Sequence, residues 1–363
     1  MNTINRRSFL AVAAAAPALS YLPRTQARPA QPGRGGPVCI SSGNGIPAIS
    51  KAMEMLRSGS DPLDAVVHGV KLIEDDPNDM SVGYGGIPNE NGVVQLDSCV
   101  MHGPTHKAGA VAAIENIKTP AMVALKVCRR TDHVLLVGEG AKQFALAHGF
   151  KEEDLLTDRT RKIWLKWKEN LNPNDDWLDD DQLIGAPGNG PGNAGDMQSR
   201  AEALGLPFHY GTIHCSAINA NGDVGSCTTT SGLSYKIPGR VGDSPLIGAG
   251  NFCDNAVGAG GATGRGEAVI QSCGGFQVVQ HMANGDDPTE ACLKVLKWIA
   301  DHTRRHDLLN SKGQPNFNVV MYALRKDGAY GSACMRRGSR AQNFAVHNGT
   351  GEAHHEECSY FYE

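Results

Sequence analysis

Hydrophobic and polar positions along the chain switch between two periods. Residues 37–42 ("PVCISS") read as a buried strand. "PAISKAMEMLRSG" and "DPLDAVVHGVKLIEDDP" then carry apolar positions near a 3.6-residue period, which predicts two helices, and Asp61-Pro62 is a good helix start. "SVGYGGIPNENGVVQLDSCVM" reads as a loop, a turn at Glu90-Asn91-Gly92 and a strand. "AGAVAAIENI" is a further strand. "TPAMVALKVCRRT" is a helix with Thr119 as its cap and Pro120 at its first position. "HVLLVGEGAKQFALAHG" predicts strand, loop and helix. Its "GEG" lacks a third glycine and a suitably spaced acidic residue, so it is not a nucleotide loop.

The pattern fails over residues 158–206. This segment begins helical, then turns Asn-, Asp-, Gly- and Pro-rich, with too little apolar content to pack. It reads as a linker and ends at Gly211-Thr212. A hairpin follows: "TIHCSAI" alternates, "NANGD" supplies the turn and "VGSCTTT" returns. Next come Gly-rich loops holding Arg240, Asp243 and Thr263. Two amphipathic helices, "GEAVIQSCGGFQVVQHMANG" and "DPTEACLKVLKWIADHTRRH", precede the closing strands "FNVVMYALRKDGAYGSACM" and "QNFAVHNGTGE". Strand and helix groups on both sides of the linker predict a layered α/β structure with largely antiparallel sheets and helices on the outer faces.

Composition adds limits. The 363 residues suffice for one large domain or two ordinary ones, and a formal net charge of −4 favours neither nucleic acid nor an anionic membrane surface. The start, "MNTINRRSFLAVAAAAPALSYLP", orders a twin arginine (Arg6-Arg7), Phe9-Leu10 and an Ala-rich stretch. This predicts a twin-arginine-type export signal over residues 1–30 and a periplasmic or exported mature protein, with no membrane anchor. The ten cysteines form no Cys-x-x-Cys pair, so they read as mostly buried thiols, with Cys215 and Cys227 close across the hairpin. "AHHEEC" at 353–358 has metal-ligand residue types, but neighbours in a strand alternate in direction, so it reads as a solvated terminus. His209 and His214 flank Thr212 and read as ordinary strand-end histidines.

Gly211-Thr212 raises the main chemical question. A threonine hydroxyl needs a base to become a nucleophile. Cutting the bond before it would free an α-amine with a pKa near 8, which can serve as that base. A glycine on the other side leaves the carbonyl open. On these residues alone, a plain strand start is the commoner reading.

"SVGYGG", "HVLLVGEGA", "GRVGDSPLIGAG", "ATGRGE" and "NFAVHN" together resemble the glycosylasparaginase (aspartylglucosaminidase) family. These are N-terminal-nucleophile hydrolases related to the isoaspartyl peptidase/asparaginases. The resemblance covers nearly the whole chain after the signal. It implies an αββα sandwich in one structural domain, split by autoproteolysis into an α-chain half (31–211, with 158–211 as its polar tail) and a β-chain half (212–363). It implies Thr212 as nucleophile and Thr230 as the hydroxyl that tunes it. It implies Arg240 for the substrate α-carboxylate, Asp243 for its α-ammonium, and Thr263 with the Gly264 N–H as oxyanion hole. No metal or cofactor is implied. A small-molecule substrate and a dimer of αβ units are. The reaction implied is hydrolysis of the amide between N-acetylglucosamine and asparagine.

The sequence also departs from the family. Tyr210-Gly211 stands where His-Asp is usual, Ser42-Gly43 replaces a Thr-Trp pair, and Met101-His102-Gly103 replaces Met-Asp-Gly. Tyr84 and Trp177 are candidates to stand in for the lost aromatic. Gly before Thr is the habit of the isoaspartyl peptidase/asparaginases, which leaves β-aspartyl peptide or asparagine hydrolysis as the alternative. An unprocessed homologue that only binds a ligand is the third reading.

Overall fold

The computed structural model describes residues 36–171, 210–338 and 340–363. The export signal, most of the polar segment, Trp177 and His209 lie outside them.

Two sheets stack face to face between two helical layers. The larger has eight strands in the order β12-β11-β1-β5-β6-β2-β3-β4, and the smaller has five in the order β13-β10-β9-β8-β7. At the centre of the larger sheet are β1 (Val38–Ser42), β5 (Tyr210–Ile218), β6 (Val224–Leu233) and β2 (Gln95–His102). Strands from before and after Thr212 therefore alternate in one sheet. Outward come β3 (Lys107–Glu115) and β4 (Leu135–Val137) on one side, and β11 (Asn343–His347) and β12 (His354–Glu357) on the other. The smaller sheet holds β7 (Asn251–Asp254), β8 (Gly258–Gly264), β9 (Val319–Arg325), β10 (Tyr330–Arg336) and β13 (Ser359–Tyr362). All pairings are antiparallel except β3 with β4 and β10 with β13. The fold is the αββα sandwich expected.

Period-two alternation builds the layers. In β1, Cys39 faces the helices α1 (Ile46–Arg57) and α2 (Pro62–Glu74), while Val38 and Ile40 face the other sheet. In β9, Met321 and Ala323 pack under α7 (Gly274–Ala283) and α8 (Pro288–His302), while Val320, Tyr322 and Leu324 point between the sheets. Helix α3 (Pro120–Arg130) and α4 (Gly138–Ala147) cover β3. Asp61 caps α2 through Leu63 N at 2.9 Å, as its sequence predicts, whereas the Thr119 side chain makes no capping bond at α3.

Three expectations change. "GEG" is the first turn of α4, entered directly from β4 with no intervening loop. Residues 266–285 are not one helix: Cys273 turns left-handed (φ 48°) between α6 (Gly266–Ser272) and α7. There Gly275 N and Phe276 N donate to the carbonyls of Ala249 and Gly248, so the loop from 248 to 249 captures the start of α7. Residues 353–358 are mostly solvated, as expected, but they are not a loose terminus. His354–Glu357 form edge strand β12 on β11, and His355 Nε2 meets the Gly43 carbonyl at 2.7 Å. The polar segment begins helical as expected, with α5 (Asp158–Glu169). Its Trp167 stacks on Tyr235 at 4.4 Å between centroids, and both are buried. Tyr235 sits in left-handed backbone (φ 57°), a strained state for a tyrosine that the stack helps hold.

Cys215 and Cys227 are direct register partners, as expected, and nine of the ten cysteines are buried and free. No described helix is long and apolar enough to cross a membrane.

Trp167→Ala should remove the stack and leave a cavity, costing about 3–5 kcal/mol. Chemical denaturation of the variant beside the parent measures it. A loss below about 1 kcal/mol would mean α5 contributes little to the fold.

Candidate active site

Thr212 lies on a bulge. Gly211 pairs with Gly232 and Ile213 with Thr229, so Thr212 opposes two residues, Thr230 and Ser231. The bulge brings three groups onto one hydroxyl. Thr212 Oγ1 donates to Thr230 Oγ1 at 3.1 Å, and Gly232 N donates to the same oxygen at 2.7 Å. Thr230 in turn donates its only proton to the Gly211 carbonyl, through a short bond. A hydroxyl offers one donor and two acceptor positions, and here all three are used. Gly211 has no spare room: a Cβ there would overlap Ser81. Ser81 is held by Asp79, which accepts from its backbone N and its hydroxyl and also accepts from Asn44 Nδ2 at 3.1 Å.

Beside Thr212 opens a cleft whose walls include Thr230, Arg240, Asp243, Ser244 and Gly264. Five of the residues singled out in the sequence thus meet at one place. Thr263 itself is not one of the wall residues, but it adjoins Gly264, which is. Its hydroxyl lies 2.9 Å from the Tyr322 hydroxyl, between the sheets. Tyr84 does not line the cleft either; it packs in the cluster beneath α3 and α4.

Arg240 and Asp243 are not an ion pair with each other. The Arg240 guanidinium lays its Nε and one terminal nitrogen on Glu267 Oε1, at 2.9 and 2.7 Å. Glu267 stands in the first turn of α6, and the paired arginine, together with the hydrogen bonds, outweighs its burial and lowers its pKa. Asp243 is buried, and its Oδ2 has no hydrogen-bond partner. Burial pushes its pKa up to about 7, against the opposing pull of Arg240. An arginine fork beside an unpartnered carboxylate oxygen suits a zwitterion, with its carboxylate on Arg240 and its ammonium on Asp243.

Sequence reading missed Glu267, Ser81 and Asp79. Glu267 follows the Gly-Arg-Gly run directly, and its place in a helix first turn was the available signal. Also missed was the buried frame behind Thr230. Glu74 Oε1 accepts from Thr229 Oγ1 at 2.7 Å and from Ala121 N at 3.0 Å; burial raises its pKa to about 8, so it is mostly protonated at neutral pH. Lys236 Nζ, fully buried, donates to the carbonyls of Gln95 (2.9 Å) and Ser231 (3.2 Å) and lies 3.8 Å from Asp97. Among the described residues, no group of three or more His, Cys, Asp or Glu is placed to hold a metal ion.

A family profile described as Asparaginase matches residues 46–312. The chain belongs to the asparaginase family. Within that family it is 39% identical over 316 residues to an N(4)-(β-N-acetylglucosaminyl)-L-asparaginase of Elizabethkingia miricola, covering 87% of this chain and 82% of that protein. A Rattus norvegicus protein of the same name is 36% identical over 308 residues, 83% of this chain and 85% of the relative. A probable isoaspartyl peptidase/L-asparaginase of Arabidopsis thaliana is 33% identical over 314 residues, covering 82% and 84%. Family membership agrees with the αββα layering and with the threonine cluster at the sheet centre.

Three predictions concern the charged wall. Ionised Asp243 is the form that holds a cation, so KM for a zwitterionic amide should rise as pH falls through about 7, and Asp243→Asn should raise KM and flatten that limb. The sign for stability is opposite. A carboxyl whose folded pKa is raised costs stability progressively as pH rises from its unfolded value towards about 7, so Asp243→Asn should melt higher than the parent at pH 8. Glu267→Gln should weaken the hold on Arg240 and raise KM about tenfold with kcat little changed, as read by steady-state kinetics.

Proposed function

We propose that the chain is an amidohydrolase that cuts the side-chain amide of asparagine bearing N-acetylglucosamine, after cutting itself between Gly211 and Thr212. The Thr212–Thr230–Gly211 geometry carries this reading. The hydroxyl beside the scissile bond is hydrogen-bonded to the same group that polarises the scissile carbonyl.

In maturation, Thr212 Oγ attacks the Gly211 carbonyl carbon, and Thr230 donates to the oxygen as negative charge grows on it. The C–N bond breaks as an ester forms, and the Thr212 nitrogen takes up the proton. Water then hydrolyses the ester. In turnover, the free Thr212 amine takes the hydroxyl proton while the oxygen attacks the substrate amide. Thr263 and Gly264 stabilise the oxyanion. The proton passes to the departing amino-sugar, and water releases aspartate from the β-aspartyl ester. Arg240 and Asp243 hold the α-carboxylate and α-ammonium throughout. The names of the bacterial and rat relatives support the glycosylated substrate.

A second reading keeps the machinery and changes the substrate to β-aspartyl peptides or free asparagine. Gly211, with Ser81 packed against it, and the Arabidopsis relative favour it. Export in the folded state, to a periplasmic or exported dimer of αβ units, completes the proposal; the twin arginine at Arg6-Arg7 supports the export.

The intact mass of the purified parent beside Thr212→Ala tests the claim. Two chains from the parent, the smaller starting at Thr212, and one from the variant are expected. A parent that stays whole when folded would have no α-amine to act as base and would overturn the reading. Rates on N-acetylglucosaminyl-asparagine against a β-aspartyl dipeptide then decide the substrate.

A further inference from the structure

His214 is not an ordinary strand-end histidine. On β5 the alternate residues Ile213, Cys215 and Ala217 face the helices, whereas His214 points between the sheets and is wholly buried. Both ring nitrogens are engaged. Thr228 Oγ1 donates to the Gly250 carbonyl at 3.0 Å, so at 2.8 Å it accepts from His214 Nδ1–H. Nε2 is then the acceptor for Ser216 Oγ, also at 2.8 Å. The ring is a neutral imidazole, and burial pushes its pKa down to about 3, far below any working pH.

The far side of this ring meets the smaller sheet. It lies nearly parallel to Tyr322 (5.6 Å between centroids, 14° between planes), and the Tyr322 hydroxyl is 2.9 Å from Thr263 Oγ1. The ring also fills the space left by Gly261 on β8: a Cβ at Gly261 would fall inside the imidazole. Gly261 and Thr263 are alternate residues of one strand, and so are Thr212 and His214. One side chain therefore spans from the strand of the nucleophile to the strand of the oxyanion groups, two residues from each.

We infer that His214, seated against Gly261 and Tyr322, is a positioning residue for the reaction: it sets the separation of Thr212 from Thr263 and Gly264, and through Tyr322 it fixes which way the Thr263 hydroxyl points. The inference rests on the oxyanion assignment proposed above. If Tyr322 donates its proton to Thr263 Oγ1, the Thr263 proton is left for the developing oxyanion. If that bond is lost, Thr263 is free to rotate and the stabilisation falls in the transition state alone. The effect belongs in kcat, not in KM.

The test uses processed enzyme and three arms. Tyr322→Phe keeps the ring stack and deletes only the hydroxyl; kcat should fall about tenfold or more with KM within about twofold. Gly261→Ala should impair processing or kcat by overlap with the ring, and the double variant Gly261→Ala/His214→Gly should recover part of the loss, because each change relieves the other. His214→Gly alone should lose kcat and regain some of it with added imidazole. A Tyr322→Phe enzyme with unchanged kcat, or a double variant no better than the product of the two singles, overturns the inference. Should the His214 and Gly261 variants fail to fold, an unchanged kcat in Tyr322→Phe still overturns the inference. A parent inactive on both amides counts against the proposed function, whereas an active parent with unaffected variants counts against His214 alone.

Discussion

Everything at the centre of this molecule depends on one hydroxyl having no freedom left. Thr230 accepts from Thr212 and from the Gly232 backbone and donates to Gly211. With three directions fixed, the Thr212 oxygen and the carbonyl next to it are fixed relative to each other. The bulge makes this possible, since a regular ladder would set Thr212 opposite one residue instead of two. The eight-stranded sheet places β5 and β6 in its interior, where neighbours on both sides keep the bulge from slipping.

That order is supported by buried polar groups that a more stable protein would do without. Glu74 ties the strand residue Thr229 to the start of α3. Lys236 ties the end of β6 to β2, with Asp97 as its counter-charge. Burial raises the pKa of Asp97 and lowers that of Lys236, so each charge is held at a cost that the other offsets. Asp243 differs from them in place: its Oδ2 lacks a hydrogen-bond partner, as do Glu74 Oε2 and Asp97 Oδ2, but of the three carboxylates it is the one on the cleft wall. The pattern separates frame from site. Each frame carboxylate uses its other oxygen inside the fold, whereas the unpartnered Asp243 oxygen lies where a ligand can reach it.

The layers were legible because period-two alternation and helix-period stripes are local signals, and both survive in β1, β5, β9, α2 and α8. The Thr212, Thr230, Arg240, Asp243 and Gly264 cluster was legible only as a motif, since nothing local says that residues 212 and 243 meet. What stayed hidden depends on partners distant in sequence. The break at Cys273 is imposed by the loop at 248–249, which captures the start of α7. The "AHHEEC" run became a strand because β11 offered an edge, although its own side chains are polar. The Thr263 hydroxyl is held by Tyr322, 59 residues away. His214 looked ordinary for the same reason, since the space that receives it is created by Gly261 on the other sheet.

The continuous chain also explains why one cleft can serve two bonds. With Gly211 in place, its carbonyl takes the Thr230 proton, and the Gly211 backbone packs against Ser81 next to the substrate wall. On the proposed mechanism, the chain's own amide stands beside the nucleophile as a substrate amide would later. Cutting it would create the amine that the second reaction uses as base. The proposed order of events follows from that base: without the cut there is no free amine to take the hydroxyl proton in turnover.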